Sequence, residues 1–176
     1  MYNPENNSGL TGGMAEEEMI GETSVDTNHP LYKEALKNNG YLNFNKAMML
    51  AKESQAGDPS DPERGIANDI HAAVADSLGE EDYENLKFYS ALGTPLDIFH
   101  GVDGFFEHNG VIVTMDATIN KNKDQESIKA DVLLKEMPDP KFEREKYLEY
   151  IKNISQEISN QIKQRQAEAI QRKQAN

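Results

Sequence analysis

The stretch from Gly101 to Thr118 reads GVDGFFEHNGVIVTMDAT, and it predicts a β-hairpin. Its centre, Asn109-Gly110, is a strong signal for a two-residue type I′ turn, because both central residues of that turn need a positive φ angle. A two-residue turn fixes the register of the flanking strands. That register places Asp103 directly opposite Asp116.

The predicted apposition of Asp103 and Asp116 indicates a metal site. Directly opposite side chains on antiparallel strands have Cβ atoms about 5 Å apart, and like charges at that distance are destabilising. A divalent cation bound by the carboxylate oxygens would remove the repulsion. Two alternatives stay open. A bulge or a longer loop could place the aspartates on different faces, or both could lie at frayed strand ends, where salt screens their repulsion.

Composition limits the class of protein. The chain has 176 residues, which suits one domain with extensions, and it has no cysteine for disulfides or thiolate metal sites. No apolar run approaches the roughly 18 residues of a transmembrane helix, and the N-terminus lacks the basic and apolar segments of a secretory signal. We expect a protein of the cytoplasm, or of the virion if it is viral, that is neither secreted nor held in a membrane.

The net charge of −13 is unevenly distributed. Residues 1–30 carry six acidic and no basic residues, and residues 58–107 carry twelve acidic and two basic residues. Residues 141–176 instead carry eight basic and five acidic residues. A negative field repels nucleic acid, whose binding depends largely on Lys and Arg. Binding of nucleic acid would therefore need a metal, the basic C-terminal region or a partner protein.

The chain divides into four predicted segments. They are a flexible acidic arm over 1–28, a helical N-terminal extension over 29–57, an α/β core over 58–138, and a long C-terminal helix with a polar tail over 139–176.

Periodicity within these segments predicts an α+β fold, in which helices pack on a small, mostly antiparallel or mixed sheet. Val111–Thr118 is rich in β-branched residues and is the best predicted strand. The other predicted core elements are a helix with a core-facing stripe from Ile66 to Leu78, a helix over 80–92, and strands over 96–100 and 128–134.

The C-terminal helix is predicted to begin at Lys141 and to carry one apolar stripe. The stripe is shorter than the three or four heptads by which a coiled coil is recognised. Packing on the chain's own sheet is the favoured interpretation, and a homodimer is the alternative. The stripe consists of Tyr147, Ile151, Ile154, Ile158 and Ile162.

The order of elements and two short motifs resemble the PD-(D/E)XK nuclease superfamily. In that superfamily an Asp begins the second strand of a hairpin region, a D/E-x-K triplet follows on the next strand, and the acidic residues bind Mg²⁺ or Mn²⁺. The matching residues are Asp103 in GVDGFF and Asp116 in VTMDAT, and the resemblance covers roughly residues 65–134. It implies a restriction-endonuclease-like core that hydrolyses phosphodiester bonds in DNA or RNA.

The chain departs from this pattern at the lysine, because Thr118 occupies the lysine's position. The resemblance implies that Lys121 or Lys123, just beyond the strand, reaches back as a migrated lysine. Asp103 and Asp116 would then hold the metal, and the lysine would stabilise the charge that develops in the transition state.

Two other functions stay open at this stage. The chain could be a catalytically inactive nuclease-fold protein with a structural or protein-interaction role, whose acidic arm and C-terminal helix bind protein partners. It could also be an acidic mimic of nucleic acid that blocks a DNA-binding partner.

Overall fold

The computed structural model describes residues 17, 19–63, 65–79, 83–118, 120, 122–124, 126 and 128–175. Within them the chain forms an α+β fold with a four-stranded mixed sheet, which confirms the predicted class. None of the helices in this part of the chain is long and apolar enough to cross a membrane. The elements in chain order are α1 (Pro30–Lys37), α2 (Phe44–Glu53), α3 (Gly65–Leu78), β1 (Leu86–Ser90), α4 (Pro95–His100), β2 (Gly104–His108), β3 (Val111–Thr118), β4 (Val132–Lys135) and α5 (Arg144–Gln174).

The sheet has the strand order β1-β2-β3-β4 and is covered on both faces. Strands β1, β2 and β3 are antiparallel to one another, whereas β4 runs parallel to β3. Helices α3 and α5 contribute to the apolar core on one face. Helices α1, α2 and α4 contribute to the core on the other face. The hairpin of β2 and β3 therefore occupies the centre of the domain.

The predicted hairpin is confirmed in its turn and in its register. Asn109 and Gly110 have φ angles of 51° and 81°, as a type I′ turn requires. The ladder runs from the His108–Val111 pair beside the turn to the Gly104–Met115 pair at its far end. The local turn chemistry thus set the pairing of these two strands.

The predicted strand over 96–100 is wrong, because these residues form helix α4. The Thr94 hydroxyl accepts a hydrogen bond from the N–H of Leu96, and Pro95 follows as the first helical residue. Gly101 ends the helix with a φ of 65°, the left-handed conformation that glycine adopts readily. These capping signals outweighed the β propensity of the short apolar run.

The predicted helix over 80–92 is also wrong where the structure describes it, since Leu86–Ser90 forms β1. Phe88 enters the core beneath α3 and α5, whereas its neighbour Tyr89 enters the opposite core. Only Lys87 of the five residues of β1 is exposed, so the polar alternation is too short to distinguish this strand from a buried helix segment. Residues 80–82 lie outside the described residues.

The segment predicted as a flexible arm is packed at its C-terminal end. Met19 and Ile20 are buried in the core beneath α3 and α5. Thr23 forms a β-bridge with Gln55, and its hydroxyl donates to the carbonyl of Leu92 at 2.7 Å. A few apolar residues in a polar segment are therefore enough to anchor the end of the arm on the domain.

The long C-terminal helix is confirmed as α5, which begins at Arg144, three residues later than predicted. Its apolar stripe packs on the chain's own domain, and Ile158 and Ile162 are completely buried. Beyond Ile162 the helix is largely exposed, including Ile170 at 56%.

Candidate functional site

Asp103 is held tightly at the junction between α4 and β2. Its main-chain N–H donates to the carbonyl of Met115 at 2.8 Å, and its own carbonyl accepts from Ala91 at 2.7 Å. The carboxylate Oδ2 accepts a hydrogen bond from the N–H of Ala117 at 2.7 Å. Because Ala117 directly follows Asp116, this bond brings the Asp103 carboxylate beside Asp116.

The two aspartates meet in a different way from the plain cross-strand pair that the register predicts. The regular ladder ends at Gly104, so Asp103 lies one residue before β2. Asp103 reaches β3 through its N–H and its carboxylate, both of which bond to the backbone there. Both aspartates are buried, with 7% exposure for Asp103 and 5% for Asp116.

Lys123 neutralises Asp116. Its Nζ lies 2.8 Å from Oδ1 and 2.6 Å from Oδ2 of that carboxylate. The Lys123 side chain is 31% exposed and comes from the connection that follows β3. The structure thus pairs Lys123 with Asp116 and places the Asp103 carboxylate on the N–H of Ala117, the residue after Asp116. Lys121, the other predicted lysine, lies outside the described residues.

Lys135 also lies at this end of the sheet, although it is not among the residues that the sequence predicts for the site. Strand β4 pairs with β3 so that Lys135 lies beside Thr118, the position where the superfamily carries its lysine. The Lys135 Nζ donates to the carbonyl of Lys123 at 3.0 Å. The predicted strand over 128–134 stopped one residue short of Lys135. A parallel register could have been proposed only if that strand had been placed next to β3.

The side chains at this site suit a hard divalent cation. Mg²⁺ is typically bound by one or two carboxylates, with waters and substrate phosphates as its remaining ligands. Asp103 and Asp116 meet that requirement. No group of three or more His, Cys, Asp or Glu residues that could hold a metal occurs in the described part of the chain, so a site built entirely from such side chains is not formed there.

Removing the positive charge of Lys123 is expected to destabilise the metal-free protein. The Lys123→Gln variant would leave the buried Asp116 carboxylate without its cation. We expect the free energy of unfolding to fall by about 2 kcal/mol, measured by urea denaturation in EDTA at neutral pH.

A double variant separates this electrostatic effect from lost packing. Adding Asp116→Asn to Lys123→Gln removes the uncompensated charge. The double variant should therefore be more stable than the Lys123→Gln variant alone. If the losses in unfolding free energy of the two single variants add up to the loss in the double variant, Lys123 and Asp116 do not form a coupled ion pair.

No protein-family model, curated protein or solved structure matches the chain. A functional proposal therefore rests on the geometry around Asp103, Asp116 and Lys123 and on the resemblance of the two motifs that contain the aspartates.

Proposed function

We propose that the protein is a metal-dependent phosphodiesterase that hydrolyses DNA or RNA, as the resemblance to PD-(D/E)XK nucleases implies. The observation that carries the proposal is the grouping of Asp103, Asp116 and Lys123 at one end of the central hairpin. Two carboxylates and an ammonium group are the side chains that metal-assisted phosphoryl transfer uses. The topology supports the proposal, since β4 brings a second lysine, Lys135, to the same end of the sheet.

Each residue has a distinct role in this proposal. Asp103 and Asp116 would hold Mg²⁺ or Mn²⁺, which when bound polarises a phosphoryl oxygen and lowers the pKa of a water. The N–H of Ala117 orients Asp103. Lys123 and Lys135 would stabilise the negative charge that builds up on the phosphate. Hydrolysis joins the oxygen of water to phosphorus and breaks one ester P–O bond, and the leaving oxygen takes up a proton.

One observation favours a second function, that of an inactive nuclease fold with a role in protein interaction. The Lys123 ammonium contacts both oxygens of Asp116, so the Asp116 charge is balanced without a metal. In that case the exposed end of α5 beyond Ile162 is the candidate surface for a protein partner.

The melting temperature in Mn²⁺ tests the metal site. A ligand that binds only the folded state at about 100 times its Kd adds about 2.7 kcal/mol, which corresponds to a rise of roughly 5–10 °C for a chain of this size. We expect the wild type to show such a rise and Asp116→Asn to lose most of it.

Glu107→Gln is the matched control for that experiment. Glu107 is an acid at the turn end of β2 and forms an ion pair with Lys52 at 2.7 Å, away from Asp103. This variant should keep the Mn²⁺ response. An equal rise in all three proteins would place the metal elsewhere, and no rise in the wild type would contradict a metal-dependent enzyme.

A further inference from the structure

An open groove of about 450 Å³ lies next to the aspartate site. It is bordered by α2, α4, β3 and α5. Val102, the residue before Asp103, lines it, and so does Thr114. Thr114 lies two residues before Asp116 on β3 and therefore on the same face of the sheet. The groove thus reaches residues that neighbour the two aspartates, whose own side chains do not line it.

Four aromatic rings form a continuous cluster at one wall of the groove, and three of them are exposed. Phe44 and His100 line the groove itself, with ring centroids 5.5 Å apart. Tyr41 packs on His100 at 5.8 Å and on Phe99 at 5.7 Å, which extends the cluster outwards. Tyr41 is 47% exposed, Phe44 42% and Phe99 37%. An exposed cluster of large apolar side chains in a folded chain marks a binding surface.

The groove is lined by two basic side chains, Lys129 and Arg165, and by one acidic side chain, Asp131. Lys129 lines it and is exposed. Arg165 is held in place by Asp131, whose carboxylate lies 2.5 Å and 3.1 Å from the guanidinium nitrogens. Burial disfavours the Asp131 charge, but hydrogen bonds from Arg165 and Thr114 outweigh that effect and hold the pKa of Asp131 below its usual value. The ion pair therefore persists at neutral pH.

Two of the three helices that border the groove carry net positive charge, although the whole chain is strongly negative. Helix α2 carries two lysines and one glutamate, whereas α4 carries Asp97 and no lysine or arginine. The last part of α5, over residues 158–174, carries four basic residues and one acidic residue. This local charge is complementary to a polyanion, and the net charge of −13 hides it.

We propose that this groove binds a single-stranded nucleic acid, with bases stacked on the aromatic cluster and phosphates at Lys129 and Arg165. Stacking on aromatic side chains needs open base faces, which a single strand presents and a duplex hides. The groove passes the strand to Asp103 and Asp116. That last step rests on the proposed nuclease function, whereas binding to the groove does not.

Fluorescence anisotropy with labelled oligonucleotides of about 10 nucleotides tests the proposal, since sites of this kind span roughly 4–16 nucleotides. The titration is done in EDTA so that binding is measured without cleavage. The wild type should bind a single strand more tightly than a duplex of the same sequence. Phe44→Ala should raise the Kd about tenfold, because it removes one stacking platform.

Phe142→Ala is the matched control, because Phe142 is a phenylalanine with 86% exposure that lies just before α5 and outside the groove. Its Kd should equal that of the wild type. A tighter duplex complex, or the same Kd for the two phenylalanine variants, would overturn the proposal. Since Phe44 is already 42% exposed, its variant should fold, and its melting temperature checks that directly.

The salt dependence of binding tests the charged side of the groove. Lys129→Gln should lower the slope of log K against log salt by about 0.7, the value for one phosphate contact with a single strand. Lys87→Gln, at an exposed lysine on β1, should leave the slope unchanged. Equal slopes for the two variants would show that Lys129 does not contact a phosphate of the bound strand.

The Mn²⁺ melting experiment separates failure of the groove from failure of the nuclease proposal. If the single strand binds but Mn²⁺ does not stabilise the protein, the groove stands and the phosphodiesterase proposal fails. If Mn²⁺ stabilises the protein but no strand binds, the groove proposal is wrong and the metal site stands.

Discussion

Replacing Asp116 by asparagine is expected to lower Mn²⁺-dependent cleavage of a nucleic-acid strand by at least about 100-fold. The carboxamide keeps the shape of the side chain but removes the negative charge that would hold the metal. The same change releases Lys123, whose ammonium lies within 2.8 Å of both carboxylate oxygens. The measurement is the initial rate of cleavage of an end-labelled single strand, with a duplex and an RNA strand run in parallel.

Glu107→Gln again serves as the control, because it removes an acid from the same strand pair without touching the site. Glu107 pairs with Ile112 near the turn, whereas Asp103 bonds to Ala117 at the other end of β3. We expect its cleavage rate to stay close to that of the wild type. Full activity in Asp116→Asn, or an equal loss in Glu107→Gln, would show that the two aspartates do not form the active site.

Replacing Phe106 by alanine is expected to lower the free energy of unfolding by about 4 kcal/mol, because removing a buried phenylalanine leaves a cavity in the core. Phe106 is completely buried at the centre of β2. Its ring packs against Phe88, with centroids 5.0 Å apart, and lies nearly parallel to the ring of His71 at 6.3 Å. Urea denaturation followed by circular dichroism measures the change.

The neighbour His71 makes the Phe106 site sensitive to cavity formation. Its Nε2 forms a hydrogen bond with the carbonyl of Leu86 at 2.9 Å, and burial holds the pKa of the imidazole below its usual value. The ring is therefore a fixed wall of the core and cannot swing in to fill the space that Phe106 leaves.

Two further variants keep the Phe106 prediction testable. Phe106→Leu retains most of the apolar volume, so its free energy of unfolding should fall clearly less than that of Phe106→Ala. It can still be measured if the alanine variant does not fold. Phe142→Ala, at a phenylalanine with 86% exposure, should change stability by less than about 0.5 kcal/mol. If Phe106→Ala lowers the free energy of unfolding no more than Phe142→Ala does, the packing described for the hairpin is wrong.

Elements whose signals are local could be predicted from the sequence. The Asn109-Gly110 turn needs only its own two residues, and the register of β2 and β3 follows from it. The helix from Arg144 onward follows from one apolar stripe. In contrast, β1 was mistaken for a helix, because four of its five residues are buried and the strand is too short for alternation to reveal it.

The sequence by itself therefore determined the hairpin and the C-terminal helix, and it singled out Asp103, Asp116 and Lys123 as candidate site residues. Only the tertiary structure decided how these groups meet. It set the bond from the Ala117 N–H to Asp103, the parallel register that brings Lys135 beside Thr118, and the groove between α2, α4, β3 and α5. The physical reason is that such contacts join residues far apart in the chain, and their free energy comes from packing the whole sheet between two cores.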